Sequence, residues 1–60
     1  MTLYDFVEMA VANHYECYVW DINKEEIVFE GILDDIPDEL LEYEIVSWEV
    51  ANGMFGFNIS

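Results

Sequence analysis

The sequence predicts an α+β fold in which an N-terminal helix packs on a four-stranded antiparallel sheet made of two hairpins. Three observations predict it: an apolar stripe at helical spacing, two later segments rich in aromatic and β-branched residues around turn sequences, and an acidic stretch with a proline between them. The expected order of elements is α-β-β-short α-β-β. With 60 residues, of which 55% are hydrophobic, the chain is expected to form one domain, residues 1–60.

The first element is predicted to be a helix that ends near Asn13. Thr2 is the expected N-cap, and Asp5 three residues later completes a capping box close to the positive end of the helix dipole. One buried stripe is expected from the i, i+3, i+4, i+7 spacing, and it contains Leu3, Phe6, Val7, Ala10, Val11 and His14.

The first hairpin is predicted from Tyr15–Asp21 and Glu26–Ile32, with Asn23-Lys24 at the turn. Both of its faces are apolar, and one helix covers only one of them. The expected pairs are Trp20 with Ile27 and Tyr18 with Phe29 on one face, and Val19 with Val28 and Tyr15 with Ile32 on the other.

The second hairpin is predicted from Asn52-Gly53, because a type I′ turn needs a positive φ at both central residues. Alternation gives the same register. The expected pairs, all on one face, are Val50 with Phe55, Trp48 with Phe57, and Val46 with Ile59.

Between the hairpins, Pro37 is expected at the first position of one or two helical turns, followed by acids that suit a helix N-terminus. Ile36, Leu40 and Leu41 are expected to hold these turns to the core.

The charge of the chain excludes several classes of partner. Fourteen carboxylates stand against one cation, Lys24, and the formal net charge is -13. Such a surface is not expected to bind DNA or RNA directly or an anionic membrane, because both depend on lysine and arginine. A basic protein surface is the expected partner.

The candidate partner-binding residues are the acids of the stretch between the hairpins. Spaced carboxylates on a rigid scaffold can imitate the charge density of a nucleic-acid backbone. The alternative is that the acids only maintain solubility, although the charge exceeds what solubility requires. The candidates are Asp34, Asp35, Asp38, Glu39 and Glu42.

A homodimer is expected from the two-faced first hairpin, since exposed apolar surface usually marks an interface. The contact is by a sheet face or an edge strand; alternatively, the sheet curls and buries both sides in one core. The candidate dimer face contains Tyr18, Trp20, Ile27 and Phe29.

Catalysis and metal binding find little support in the sequence. Cys17 and His14 are the one nucleophile and base that lie close together, but a field of carboxylates raises the pKa of a thiol, and a packed thiol is the simpler interpretation. Asp21–Glu25 begins like a calcium loop, yet Glu26 and Ile32 occupy the positions that need glycine and glutamate. No enzyme, metal site or cofactor is expected.

The expected compartment is the cytoplasm. A single cysteine forms no intrachain disulfide, the N-terminus lacks the features of a signal peptide, and no apolar stretch is long enough to span a membrane.

With this layout, the segments 31–40 (GILDDIPDEL) and 44–48 (EIVSW) resemble the small acidic proteins encoded by gut Firmicutes, their phages and mobile elements. Some proteins of that kind are anti-CRISPR inhibitors. The resemblance implies a setting and no site residues. The leading hypothesis is therefore a non-catalytic, dimeric binding protein of this type. An assembly module that uses its aromatic sheet face is the alternative, and a small metal-dependent hydrolase or nuclease is the third.

Overall fold

A computed structural model gives the fold over residues 1–10 and 14–60. It confirms an α+β architecture with four strands, but the acidic stretch forms two helical pieces where one was expected. None of the helices in these two ranges is long and apolar enough to cross a membrane. The elements in order are helix α1 (Leu3–Met9), strands β1 (Glu16–Asp21) and β2 (Glu26–Ile32), a 3₁₀ turn (Leu33–Asp35), helix α2 (Asp38–Leu41), and strands β3 (Ile45–Ala51) and β4 (Met54–Ile59).

The sheet is mixed, so the prediction of a purely antiparallel sheet is wrong. Its strand order is β2-β1-β4-β3, and the two hairpins join through β1 and β4, which run parallel. The central strands supply Cys17, Val19, Phe57 and Ile59, all fully buried, whereas β2 and β3 contain no buried residue. Placing β1 and β4 side by side therefore puts the most apolar strands in the middle of the sheet.

The second hairpin has the predicted turn. Asn52 and Gly53 both have positive φ, 54° and 75°, as a type I′ turn requires. The pairs of Val50 with Phe55 and Trp48 with Phe57 are confirmed. The third pair is wrong: a register shift between Ile45 and Ser47 places Ile45, and not Val46, opposite Ile59.

The first hairpin keeps its predicted register only near the turn. Trp20 lies opposite Ile27 as expected, but a shift follows, and β2 contains one more residue than β1 across it. The other three expected pairs are therefore wrong. The observed neighbours are Val19 with Phe29, Tyr18 with Glu30, Cys17 with Gly31 and Glu16 with Ile32.

Helix α1 has the predicted start and is shorter than predicted. The Thr2 hydroxyl accepts a hydrogen bond from the Asp5 N–H, and the Asp5 carboxylate accepts one from the Thr2 N–H, both at 3.1 Å. The helix ends at Met9, because the backbone of Ala10 is already extended. His14 is exposed and does not belong to a buried stripe. Val11 and Asn13, expected in the stripe and at the helix end, lie outside the described residues.

The core lies between α1, the acidic connection and one face of the sheet. The Phe6 ring packs edge-on against Trp48, Phe55 and Phe57, with centroids 5.4, 5.7 and 4.9 Å away. These contacts fix α1 across β3 and β4. Burial is complete or nearly so for Leu3, Cys17, Val19, Leu33, Ile36, Phe57 and Ile59.

Candidate protein-binding surfaces

The predicted acids lie on the segment from Leu33 to Glu42, called here the acidic connection, which joins β2 to β3. Leu33 and Ile36 are buried, and Leu40 and Leu41 pack against the core, as predicted for the last three. With the apolar side chains turned inward, the carboxylates are left on the outside. All five candidates are exposed: Asp34, Asp35, Asp38, Glu39 and Glu42.

The local structure differs slightly from the expected single helix. Asp34 and Asp35 belong to the 3₁₀ turn, and Asp38 and Glu39 form the first turn of α2, where the helix dipole favours negative charge. Pro37 is the N-cap of α2 and not its first residue. Proline fixes its own φ and restricts the residue before it, so the 3₁₀ turn and α2 do not merge into one helix.

Helix α1 extends the acidic surface. Asp34 and Asp38 share a groove of about 280 Å³ with Tyr4 and Glu8 of α1. The pKa of Tyr4 is raised, first by its hydrogen bond to Glu8 and then by the charge of the same carboxylate. Charge on α1 thus adds to charge on the acidic connection, a relationship that the sequence analysis missed. The i, i+4 spacing of Tyr4 and Glu8 indicates a contact between these two residues, but it does not indicate that α1 lies beside the connection.

Among residues 1–10 and 14–60, the five candidate acids do not converge on one of the depressions described below. Asp34 and Asp38 line the groove just described, and Asp38 and Glu42 line a second depression of about 400 Å³. Glu39 borders a third, of about 450 Å³, together with Lys24 and Glu26. The acids are therefore spread over several open depressions and do not line one cleft for a small molecule.

Cations do little to neutralise this surface. The ion pair found within residues 1–10 and 14–60 joins the Met1 ammonium to Glu44 at 3.1 Å, and both groups are largely exposed. It closes the N-terminus onto the start of β3, where the Ile45 N–H also donates to the Met1 carbonyl at 2.8 Å. The acids of the connection are left without an ion pair in this part of the chain.

The second candidate surface is the sheet face opposite α1, called here the open face. Tyr18, Trp20 and Ile27 lie on it, because they alternate with the buried Cys17 and Val19 or pair across from them. Ile27 is exposed, and Tyr18 and Trp20 are half-buried, with no helix on this face in the described part of the chain. Three of the four candidate dimer residues thus share a face.

Phe29 does not join the open face. It lies opposite Val19 and packs against the core. The reason is the extra residue in β2: a one-residue change of register turns each following side chain to the other side of the sheet.

The geometry does not assemble a catalytic pair from Cys17 and His14. Cys17 is fully buried, and burial raises the pKa of its thiol to about 11. A thiol with this pKa stays protonated near neutral pH and is a poor nucleophile. His14 is exposed and stacks on the Tyr15 ring, with centroids 5.2 Å apart.

The sequence that begins like a calcium loop is a tight turn. Asp21 is buried, and its Oδ1 accepts hydrogen bonds from the N–H groups of Asn23 and Lys24, at 2.8 and 3.2 Å. These bonds explain why an acid is buried here, because its carboxylate accepts hydrogen bonds from two backbone N–H groups of the turn. No group of three potential metal ligands forms in the portion of the chain that the structure describes.

The exposure of β3 was not predicted from the sequence. Val46, Trp48 and Val50 were predicted to face the strand partners in an apolar layer, yet 59%, 53% and 58% of their surfaces are exposed. Helix α1 has seven residues, and its Phe6 packs edge-on against Trp48 without covering it. The length of the helix, misjudged from periodicity, accounts for the error.

Comparison with known proteins identifies no relative: no family model matches the chain, and neither a curated protein nor a solved structure matches it significantly.

Proposed function

We propose that the chain is a non-catalytic binding protein that docks its acidic connection on a basic surface of another protein. The observation that carries the proposal is the exposure of all five carboxylates of the connection, none of them in an ion pair within residues 1–10 and 14–60. Buried leucine and isoleucine side chains fix the segment from below. A prearranged anionic surface of this kind attracts a basic partner at long range and speeds association.

An inhibitor that imitates a nucleic acid is the concrete form of this proposal. Such a protein occupies the basic channel in which an enzyme binds DNA or RNA, and competes with the nucleic acid for it. The form agrees with the phage or mobile-element setting that the sequence resemblance implies. Action in the cytoplasm is part of the proposal, since one free, buried cysteine suits a reducing compartment.

The test compares two variants that each lose five negative charges. In the first, the three aspartates and two glutamates of the connection become Asn and Gln: Asp34, Asp35, Asp38, Glu39 and Glu42. In the matched control, the five changes lie elsewhere: Glu16, Glu25, Glu30, Glu44 and Glu49 become Gln, and the exposed ion pair that Glu44 loses contributes little to stability.

Both variants are used to capture proteins from host lysate at low and high salt, and each captured protein is then purified and titrated directly. Loss of binding in the connection variant, with retention in the control, supports the proposal. So does weakening by salt and displacement of the captured protein by duplex DNA or RNA. Equal binding by both variants, or binding that salt does not weaken, contradicts it.

A second candidate function is an assembly module that uses the open face. Tyr18, Trp20 and Ile27 favour it, because aromatic and aliphatic side chains left uncovered on one face are typical of interfaces. In that case the charge serves solubility only. Binding that persists at high ionic strength and is lost in Ile27→Lys would favour this candidate over the first.

A further inference from the structure

Strand β3 is an edge of the sheet, and Met1 covers only its first residue, Ile45, among residues 1–10 and 14–60. Its one neighbour in the sheet is β4, and every residue from Val46 to Ala51 is exposed. The register shift lies at its start, and Ser47–Ala51 pairs with β4 without irregularity. Beyond the shift, the strand has exposed apolar side chains, one charged residue and neither lysine nor proline, so few of the devices that prevent strands from pairing remain there.

The register indicates which backbone groups face outward. In a hairpin with a two-residue loop, the pair beside the loop, Ala51 and Met54, exchanges hydrogen bonds, and the next pair does not. By this alternation, the N–H and C=O groups of Val50 and Trp48 point away from β4. These groups are free to continue the sheet into another strand.

Two copies of the chain repel each other less at the β3 edge than at the acidic connection. β3 contains one charged residue, Glu49, in a chain with a net charge of -13. The Glu49 carboxylate is turned to the open face, where it accepts a hydrogen bond from Tyr18. Two copies that meet at β3 therefore oppose fewer carboxylates than copies that meet through the acidic connection.

We infer that two copies of the chain pair β3 against β3, antiparallel, about a two-fold axis at Trp48. In this register Trp48 lies opposite its own copy, Val46 lies opposite Val50, and Ser47 lies opposite Glu49. The three exposed apolar residues then meet only one another, and the serine hydroxyl can donate to the glutamate. A register centred on Glu49 would place two carboxylates face to face, which is unfavourable.

This dimer is independent of the proposed function, because it uses the backbone and side chains of β3 and no residue of the acidic connection. The two also depend on salt in opposite ways. Salt screens the repulsion between two anions and strengthens the dimer, whereas it weakens docking on a basic surface. Failure of one can therefore be recognised without the other.

The first experiment measures the dissociation constant of the dimer by analytical ultracentrifugation at low and high salt. Val50→Lys is compared with Ile27→Lys, a control with the same charge change at a similarly exposed position, 58% against 51%. Val50→Lys is expected to weaken the dimer at least about tenfold although it reduces repulsion, since a lysine replaces an apolar contact. Ile27→Lys should leave the dimer intact or strengthen it.

Several outcomes overturn the inference: a wild-type protein that stays monomeric at its highest attainable concentration, a dimer that salt weakens, or a dimer sensitive to Ile27→Lys and not to Val50→Lys. Circular dichroism confirms that each variant is folded.

The second experiment tests the register with Ser47→Cys and Glu49→Cys. These positions form a close, non-hydrogen-bonded pair in the proposed dimer, within the Cα separation of about 4.4–6.8 Å that disulfides accept. Mild oxidation should cross-link a mixture of the two variants and neither variant alone. The wild type, whose cysteine is buried, is the background control. Cross-linking of Glu49→Cys alone, or no cross-linking of the mixture, rules out this register.

Discussion

The Tyr18 hydroxyl donates a hydrogen bond of 3.0 Å to Oε1 of Glu49, two strands away in the sheet. Tyr18 is in β1 and Glu49 in β3, so the tyrosine ring must cross β4. It crosses at Gly56, which lies beside both residues in the two ladders. A Cβ atom at Gly56 would lie 2.4 Å from the ring. The absence of a side chain at one position of β4 is therefore what permits this link between the two hairpins.

Gly56→Ala is expected to destabilise the protein by about 1–3 kcal/mol, the usual range for an overpacked site. The new methyl group must displace the Tyr18 ring, which breaks the hydrogen bond to Glu49 and exposes the ring. The free energy of unfolding in urea measures the effect.

The double variant Gly56→Ala/Tyr18→Ala tests whether a clash with the Tyr18 ring causes the loss of stability. If the clash with the ring is responsible, Gly56→Ala costs much less stability in the Tyr18→Ala background than in the wild type. An equal cost in both backgrounds would locate the problem in the backbone of β4 instead.

The pKa of Tyr18 is raised above its usual value, first by the hydrogen bond to Glu49, then by burial and by the carboxylate charge. The carboxylate accepts only from the protonated phenol, so the contribution of this bond to stability is present below the unfolded pKa of about 10 and is lost as pH rises through the folded pKa. In a spectrophotometric titration, Glu49→Ala should remove one late-titrating tyrosine.

The pKa of Tyr4 is also raised, by Glu8, so the titrations are compared in proteins that carry Tyr4→Phe. In that background, an alkaline titration that Glu49→Ala leaves unchanged would show that the bond to Glu49 does not form in solution.

The sequence predicted correctly those local structures that depend only on neighbouring residues. The capping box at Thr2 and the turn at Asn52-Gly53 depend on contacts within a few residues, and both are present. Registers were correct beside each turn and failed farther along, because one extra residue in β2 or β3 is a response to packing across the whole sheet. The parallel contact of β1 with β4 joins segments far apart in sequence, and no local pattern encodes it.

For the candidate surfaces, the exposure of the connection acids could be predicted because apolar residues alternate with them. The contribution of Glu8 to the charge of this surface could not be predicted, since it depends on where α1 lies in the fold. Phe29 was assigned to the wrong face for the same reason that its register failed. Trp48 was predicted to pair with Phe57, and this pairing is present, but it did not predict that 53% of Trp48 is exposed.

Cys17 is expected to resist alkylation in the folded protein at neutral pH, because its thiol is buried and its pKa is raised to about 11. Ser47→Cys places a thiol at an exposed position of β3 and should provide one rapidly labelled site beside the protected one. Mass spectrometry after brief exposure to iodoacetamide counts the labelled thiols. Rapid labelling of the wild type would mean that the core opens readily.

The same thiol predicts a loss of stability at alkaline pH. The unfolded chain ionises Cys17 near its ordinary pKa of 9.0, whereas the folded protein holds the thiol neutral to about 11. Stability from this group is therefore full below pH 9.0 and declines as pH rises toward 11. Urea unfolding across this range should show a smaller decline in Cys17→Ala, although that variant starts from a lower stability. An equal decline in both proteins would assign the effect to the tyrosines.

Thr2→Ala is expected to cost about 1 kcal/mol of stability, the typical value for loss of an N-cap. The Asp5 N–H loses its acceptor, and the start of α1 is also the point where Thr2 bridges to Glu44. Thr2→Ser keeps the hydroxyl and should restore most of the loss. If serine is no better than alanine in thermal unfolding, the threonine methyl group, and not the cap, is the stabilising element.

Neutralising Glu39 or Glu42 separately tests whether the negative charge of the acidic connection lowers the stability of the fold. Glu39 lies in the first turn of α2, where the helix dipole favours a carboxylate, and Glu42 is the C-cap, where it does not. Glu42→Gln should therefore raise the free energy of unfolding at low salt by about 0.3–1 kcal/mol, and Glu39→Gln should raise it less or lower it. The two changes remove the same charge from exposed positions three residues apart, so general repulsion affects both alike. Urea midpoints at low and high salt separate the local effect from the general one. A larger gain from Glu39→Gln than from Glu42→Gln would show that repulsion from Glu26 and other nearby acids outweighs the dipole of so short a helix.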